Sequence, residues 1–400
     1  MITVTQATDH VLQNTADYGT ETIPLSDTVG RVLAEPLVAD RDFPPFDRVT
    51  MDGIAILDEA YANGQRQFKI AGMQAAGMPQ MKLDNSDQCL EVMTGAICPE
   101  GADTVIRYED LIIAEGVATI NLEDLEKGKN VHDQGSDRKR SDLIVEPDRL
   151  VSPGEIGVAA TVGKANLLVK KLPRVVLIST GDEIVEIEVA PQPHQIRSSN
   201  VFAIRSLLSK WHIQAERLNL PDRKEATIDG LREALEHFDV LIMSGGVSMG
   251  KFDFVPKALE SLGVEQLFHK VQQRPGKPFW FGKAPNGSLV FALPGNPVSA
   301  FMCTVRYVEP WLRQSLGLSA FATQNAILAE DFTFKPNLTY FLQVQVESDA
   351  NGHLLARPLP GGGSGDLANL TVADGFLELP QGRDVYEKGE VFRFWKYRQF

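Results

Sequence analysis

Three hydrophobic runs in this chain break into turns built from Gly, Ser, Thr, Asn and Pro. Residues 175–183 read VVLISTGDE, residues 240–253 read VLIMSGGVSMGKFD and residues 289–300 read LVFALPGNPVSA. A buried strand that ends in such a turn exposes backbone N–H groups, and with the N-terminus of the next helix these form an anion site. Thr180 and Gly181 belong to the first turn, and Ser244, Gly245, Gly246, Ser248 and Gly250 to the second. Pro294, Gly295, Asn296, Pro297 and Ser299 form the third. Together they are candidates to cradle one phosphorylated ligand at the carboxyl edge of an open sheet. Glycine lets backbone approach a ligand without a Cβ, and Ser244 and Ser248 offer hydroxyls to phosphate oxygens. Gly295 and Asn296 can take left-handed conformations that Leu or Val could not, and Pro297 suits a helix start. Asp182, Glu183 and Asp253 could hold a hydrated Mg²⁺, which takes a few carboxylates plus waters and phosphates. They could equally act as acid or base, or cap the next element.

Cations are scarce but pointed. Arg274 and Lys277 flank the turn Arg274-Pro275-Gly276-Lys277 before the aromatic strand Phe279-Trp280-Phe281, where they suit an anion. Upstream, FPPFDRVTMDG (43–53) projects a stiff loop ending in a positioned carboxylate, Asp52. Met93-Thr94-Gly95 ends a strand, and Gly135-Ser136-Asp137 opens a mixed-charge loop. No HxH or HExxH spacing argues for zinc, and Walker and full GxGxxG patterns are missing.

The elements that must position these residues are legible as period changes. Residues 4–18 read as a short helix, 43–137 as short β runs of an inserted domain, and 1–42 with 138–170 as a discontinuous N-terminal domain. Residues 171–318 alternate strand and helix, the mark of a parallel sheet with crossover helices. Val201, Ile204, Leu208 and Trp211 form one apolar stripe behind Ser199-Asn200, an expected N-cap pair. Residues 319–400 return to β alternation, interrupted by a Gly-rich loop at 360–365. The whole is a multidomain α/β plus β protein.

At 400 residues, more than one core is required. Lys+Arg 39 against Asp+Glu 53 gives a net charge of -14, which disfavours nucleic acid and anionic membranes as partners. No run reaches the roughly 18 apolar residues of a membrane span, no signal peptide is read at the N-terminus, and three Cys fit a reducing, cytoplasmic setting.

Taken together, FPPFDRVTMDGIA, MTGA with GADTVI, PRVVLISTGDEI, IRSSN, SGGVSMGKFDF, RPGKPFWFG and LPGNPVSA resemble the molybdopterin molybdenumtransferase family, the MoeA family, over nearly the whole chain. The E domain of gephyrin is similar. The resemblance implies a molybdopterin-binding type of α/β domain, a barrel-like C-terminal β domain, and insertion of molybdate into adenylylated molybdopterin with release of AMP, assisted by Mg²⁺. It implies a homodimer whose cleft is shared between subunits. Asp52, Thr94, Asp137, Glu183 and Asp253 would be the catalytic set, with Asp52, Asp182, Glu183 and Asp253 near the metal. Lys277 would meet anionic groups, Pro294 and Pro297 would shape the pocket, and Asp222 matches a further acidic position. Ser364-Gly365 would reach toward the ligand. Ser136 stands where the family usually has Glu, Ile54 where Tyr is commoner, and Arg274 where Lys is frequent. A non-catalytic pterin or nucleotide carrier and a gephyrin-like scaffold are the competing readings.

Overall fold

The computed structural model describes residues 1–221, 223–246, 255–322 and 324–398. The chain forms two compact units. One comprises Glu35–Pro147 and Pro153–Ala165; the other comprises Met1–Ala34, Asp148–Ser152 and Asn166–Phe400.

The smaller unit is built on a six-stranded sheet in the order Thr104–Arg107, Gly53–Ile56, Gln88–Val92, Gln67–Gln74, Val117–Ile120 and Leu111–Ala114. Ile54, Ile56, Phe68, Cys89, Ile106 and Ala118 fill one side of it. A short ribbon, Arg48–Val49 against Val131–His132, carries the loops of interest.

In the larger unit, Thr3 caps the helix Val4–Leu12 through a reciprocal box with Gln6. The helix is shorter than the expected 4–18, and the chain that follows leads through Gly19, in the left-handed region, to the strand Thr20–Pro24. The central sheet runs Glu216–Leu220, Val175–Thr180, Val240–Ser244, Leu289–Leu293, Trp280–Lys283, Glu265–His269. The first four strands are parallel, as expected, and the last two extend the edge antiparallel. Both faces of the parallel strands are apolar, so alternate residues seal two separate layers. Leu177, Ile242, Phe291 and Phe279 face the helices Asn200–Ser209 and Pro297–Cys303. Ile178, Leu241, Val290 and Trp280 face Lys224–His237 and Val255–Ser261. Burying both faces fixes the sheet in place, and the turns at its carboxyl ends inherit that rigidity.

Beyond it, five strands close on themselves: Thr339–Ser348, Leu354–Pro358, Gln324–Leu328, Val391–Lys396 and Gly375–Leu379, the last pairing back onto the first. Gln273–Arg274 adds to this barrel in parallel with Thr339 and Tyr340, which anchors the cationic turn to the barrel wall. Arg306, 3 % exposed, joins the helical layer to the barrel through Glu378, with Trp395 donating to the same carboxylate.

Candidate functional site

The strands ending at Thr180, Ser244 and Leu293 are immediate neighbours, with Ser179 opposite Ser244 and Ser244 opposite Leu293. Their turns therefore leave one edge side by side. Gly245 donates its N–H to the Leu293 carbonyl at 3.2 Å. Asn200, first residue of its helix, donates from Nδ2 to Ser244 Oγ at 2.8 Å and to the Gly295 carbonyl at 2.7 Å. One side chain thus ties two turns together, while its own Oδ1 and the Thr180 hydroxyl are buried with no hydrogen-bond partner among the described residues. Buried polar atoms of that kind carry a desolvation cost until something pairs with them.

Most glycines here have specific reasons. Gly245 and Gly246 lie at φ +100 and +70, and a Cβ on Gly246 would sit 2.8 Å from Thr180 Oγ1. At Gly181, φ +134, a Cβ would come within 2.4 Å of Glu183 Oε2, because the Glu183 carboxylate folds over that glycine. Gly295 and Asn296 do not use their left-handed freedom, Asn296 having φ -66 and ψ 129. A Cβ at 295 would lie 3.6 Å from the Gly245 backbone, an ordinary van der Waals contact, so neither crowding nor a left-handed backbone explains the glycine there. Ser199 departs from expectation, making no side-chain cap. Pro297 does open its helix.

A cleft of about 540 Å³ continues from Asn296. Arg274, Lys277, Ser299, Tyr340, Gln343 and Ser364 are among the residues on its walls. Asn296 Nδ2 donates to Ser364 Oγ at 2.8 Å and Val298 N–H to the Ser364 carbonyl at 3.1 Å, so the Gly-rich loop is stitched to the LPGNP turn. Gln343 is 5 % exposed and its Oε1 has no partner among the described residues. Burial raises the Tyr340 phenol above its ordinary range against the pull of Arg274.

In the smaller unit, Asp52 Oδ1 accepts from both the backbone N–H and the hydroxyl of Thr94, each at 2.7 Å. Those two donors hold the Asp52 carboxyl below the usual carboxylate range. Asp137 Oδ1 lies 3.0 Å from His132 Nε2. Strand residues around Val49 bond on one side to Gly95 and Ala96 and on the other to Asn130, so both carboxylates are carried by one ribbon. Ser136 turns its hydroxyl back to the Asp133 carbonyl at 2.8 Å.

Asp222, Ser248, Gly250 and Asp253 lie outside the described residues. Sequence reasoning missed Asn200 as a clamp, although IRSSN was visible, and it missed Gln343 and His132 entirely. The three Cys are buried, and burial pushes the Cys89 and Cys98 thiols up to about 12, which suits inert core groups.

The fold and site define a multidomain α/β protein with strand-end turns and an adjoining barrel-walled cleft. Three family models match in succession: "MoeA N-terminal region (domain I and II)" at 2–163, "Probable molybdopterin binding domain" at 176–314 and "MoeA C-terminal region (domain IV)" at 325–397. The molybdopterin molybdenumtransferase of a Synechocystis species is 40% identical over 400 residues, 99% of this chain and 100% of that protein. That of Staphylococcus aureus is 32% identical over 98% of this chain and 94% of its own. The crystal structure of the molybdopterin biosynthesis MoeA protein from Pyrococcus horikoshii superposes with a TM-score of 0.85 at 28% identity, each chain covered in full. The chain belongs to the molybdopterin molybdenumtransferase family.

Proposed function

We propose that this chain inserts molybdate into adenylylated molybdopterin, releasing AMP, as a step of molybdenum cofactor biosynthesis. The observation that supports this best is the continuity of two surfaces within one unit. Strand-end turns clamped by Asn200 lead through Asn296 into a cleft bearing Arg274, Lys277 and Ser364. The turns at Thr180-Gly181, Gly245-Gly246 and Pro294-Gly295 hold the phosphorylated pterin nucleotide, and Lys277 with Arg274 attracts the oxyanion. Breaking the phosphoanhydride with water forms one P–O bond and cleaves another, giving AMP and the pterin phosphate. Joining molybdenum to the two dithiolene sulfurs sends their protons off with one oxo oxygen as water. Such chemistry asks for charge neutralisation and positioning more than covalent catalysis.

Mg²⁺ fits the donors present. Asp52 is held ionised by Thr94, and Glu183 curls into a cradle over Gly181 that a Cβ would fill. Among the described residues no three His, Cys, Asp or Glu form a cluster; Mg²⁺ commonly takes one or two carboxylates with waters and phosphates. Asp52, Asp182, Glu183 and Asp253 would hold the ion, which supplies neutralisation of phosphate charge. We place Asp52, Thr94 and Asp137 at the site of a second copy, in a cytoplasmic homodimer. No helix among the described residues is long and apolar enough to cross a membrane.

Purified protein given adenylylated molybdopterin and molybdate should release AMP and yield molybdenum-loaded pterin. D52N should slow AMP release sharply while leaving the fold intact. Ligand binding without AMP release in the unaltered protein would favour the carrier reading instead.

A further inference from the structure

We infer that His132 is a positioning residue for Asp137, held by Arg48 as the neutral imidazole with its proton on Nε2. This rests on the reading above that Asp137 belongs to the site. His132 and Arg48 stand directly opposite each other in the short ribbon. Arg48 Nη2 lies 3.1 Å from His132 Nδ1, and His132 Nε2 lies 3.0 Å from Asp137 Oδ1. A guanidinium only donates, so Nδ1 must offer its lone pair and Nε2 must carry the proton. The ring then donates to Asp137, which as a carboxylate only accepts. The opposite tautomer would set N–H against N–H at Arg48 and a lone pair against Asp137. A doubly protonated ring would keep the Asp137 bond but lose the Arg48 one.

The backbone below is fixed independently. Gly135 and Asp137 donate to the carbonyls of Pro44 and Phe43, both at 2.9 Å, and Gln134 donates to Asp47 Oδ1 at 2.7 Å. Loop position is therefore set by the FPPF segment, which leaves side-chain direction as the task of His132. Ser136 cannot share it, because its hydroxyl is turned back into its own loop.

The test uses the full-length protein in the molybdate insertion assay and nuclear magnetic resonance of ¹⁵N-histidine-labelled protein, with H132Q identifying the His132 signals. Wild type should show His132 as the Nε2–H tautomer, and R48M should release it into a tautomer mixture. H132A should lower kcat by about 10-fold with little change in KM, the scale on which supporting hydrogen bonds act. H132Q, whose amide can donate to Asp137, should recover most of that loss. D137A separates the two claims. If D137A turns over at the wild-type rate, the placement of Asp137 in the site fails. If D137A is impaired but H132A is not, or His132 is found as the Nδ1–H tautomer, the positioning role is overturned. Should H132A not fold, the tautomer of wild-type His132 decides the matter alone.

Discussion

Asp52 is an exposed carboxylate whose ionisation is set by one neighbour, Thr94, through two donors onto a single oxygen. Its carboxyl is lowered first by the Thr94 backbone N–H and then by the hydroxyl. T94V keeps the former and removes the latter, so Asp52 should titrate higher than in wild type yet still below an ordinary carboxylate. T94S should titrate like wild type; carbonyl-detected ¹³C titration reads all three. Because the folded value is depressed, the link favours the folded state above the ordinary carboxylate pKa of about 4 and fades as pH falls through the folded value. An unchanged Asp52 titration in T94V would show that the hydroxyl does not bind the carboxylate in solution.

Elements are held to one another by single side chains at two places. Asn200 fastens its helix to both the Ser244 and the Gly295 turns. N200A should cost about 1–3 kcal/mol, the scale for stranding buried hydrogen-bonding groups, and should weaken AMP binding; urea unfolding and calorimetry check each. Wild-type affinity in N200A would mean the turns keep their spacing without the clamp. At the barrel, Glu378 is the carboxylate partner of the buried Arg306, with Nε to Oε2 at 3.1 Å, and Arg306 also lies over the Trp395 ring at 4.4 Å. E378A leaves a buried cation unpaired, for which about 3–5 kcal/mol is lost. A midpoint shift in urea far smaller than that would indicate that water reaches Arg306.

Across the whole molecule, the proposed cleft draws Asp52 from one copy and Lys277 from the other. Neither D52N nor K277A homodimers should support molybdate insertion well. Mixed dimers would contain one doubly altered cleft and one intact cleft. Random reassortment makes half the dimers mixed, so about a quarter of wild-type activity should return on unfolding and refolding the two together, as two-fold symmetry requires. Activity no higher than the sum of the separate variants would place both residues in one copy. A monomer in sedimentation would also remove the shared cleft.

Short-range features were open to reading from residue order. The turn-bearing strands, the apolar helix stripe of Val201, Ile204 and Leu208, and Pro297 at its helix start depend on local periodicity and backbone chemistry, and they stand where expected. Family membership followed from motif order, which many separated positions carry together. Only the folded chain decided which turns touch, that Asn200 binds two of them, and that Ser364, 68 residues after Asn296, meets its side chain. It also decided that Gly295 and Asn296 are not left-handed, and that His132 faces both Arg48 and Asp137. Conformational preference belongs to a residue and its neighbours in the chain, whereas a hydrogen bond between distant segments exists only after burial of the core has fixed where each segment ends.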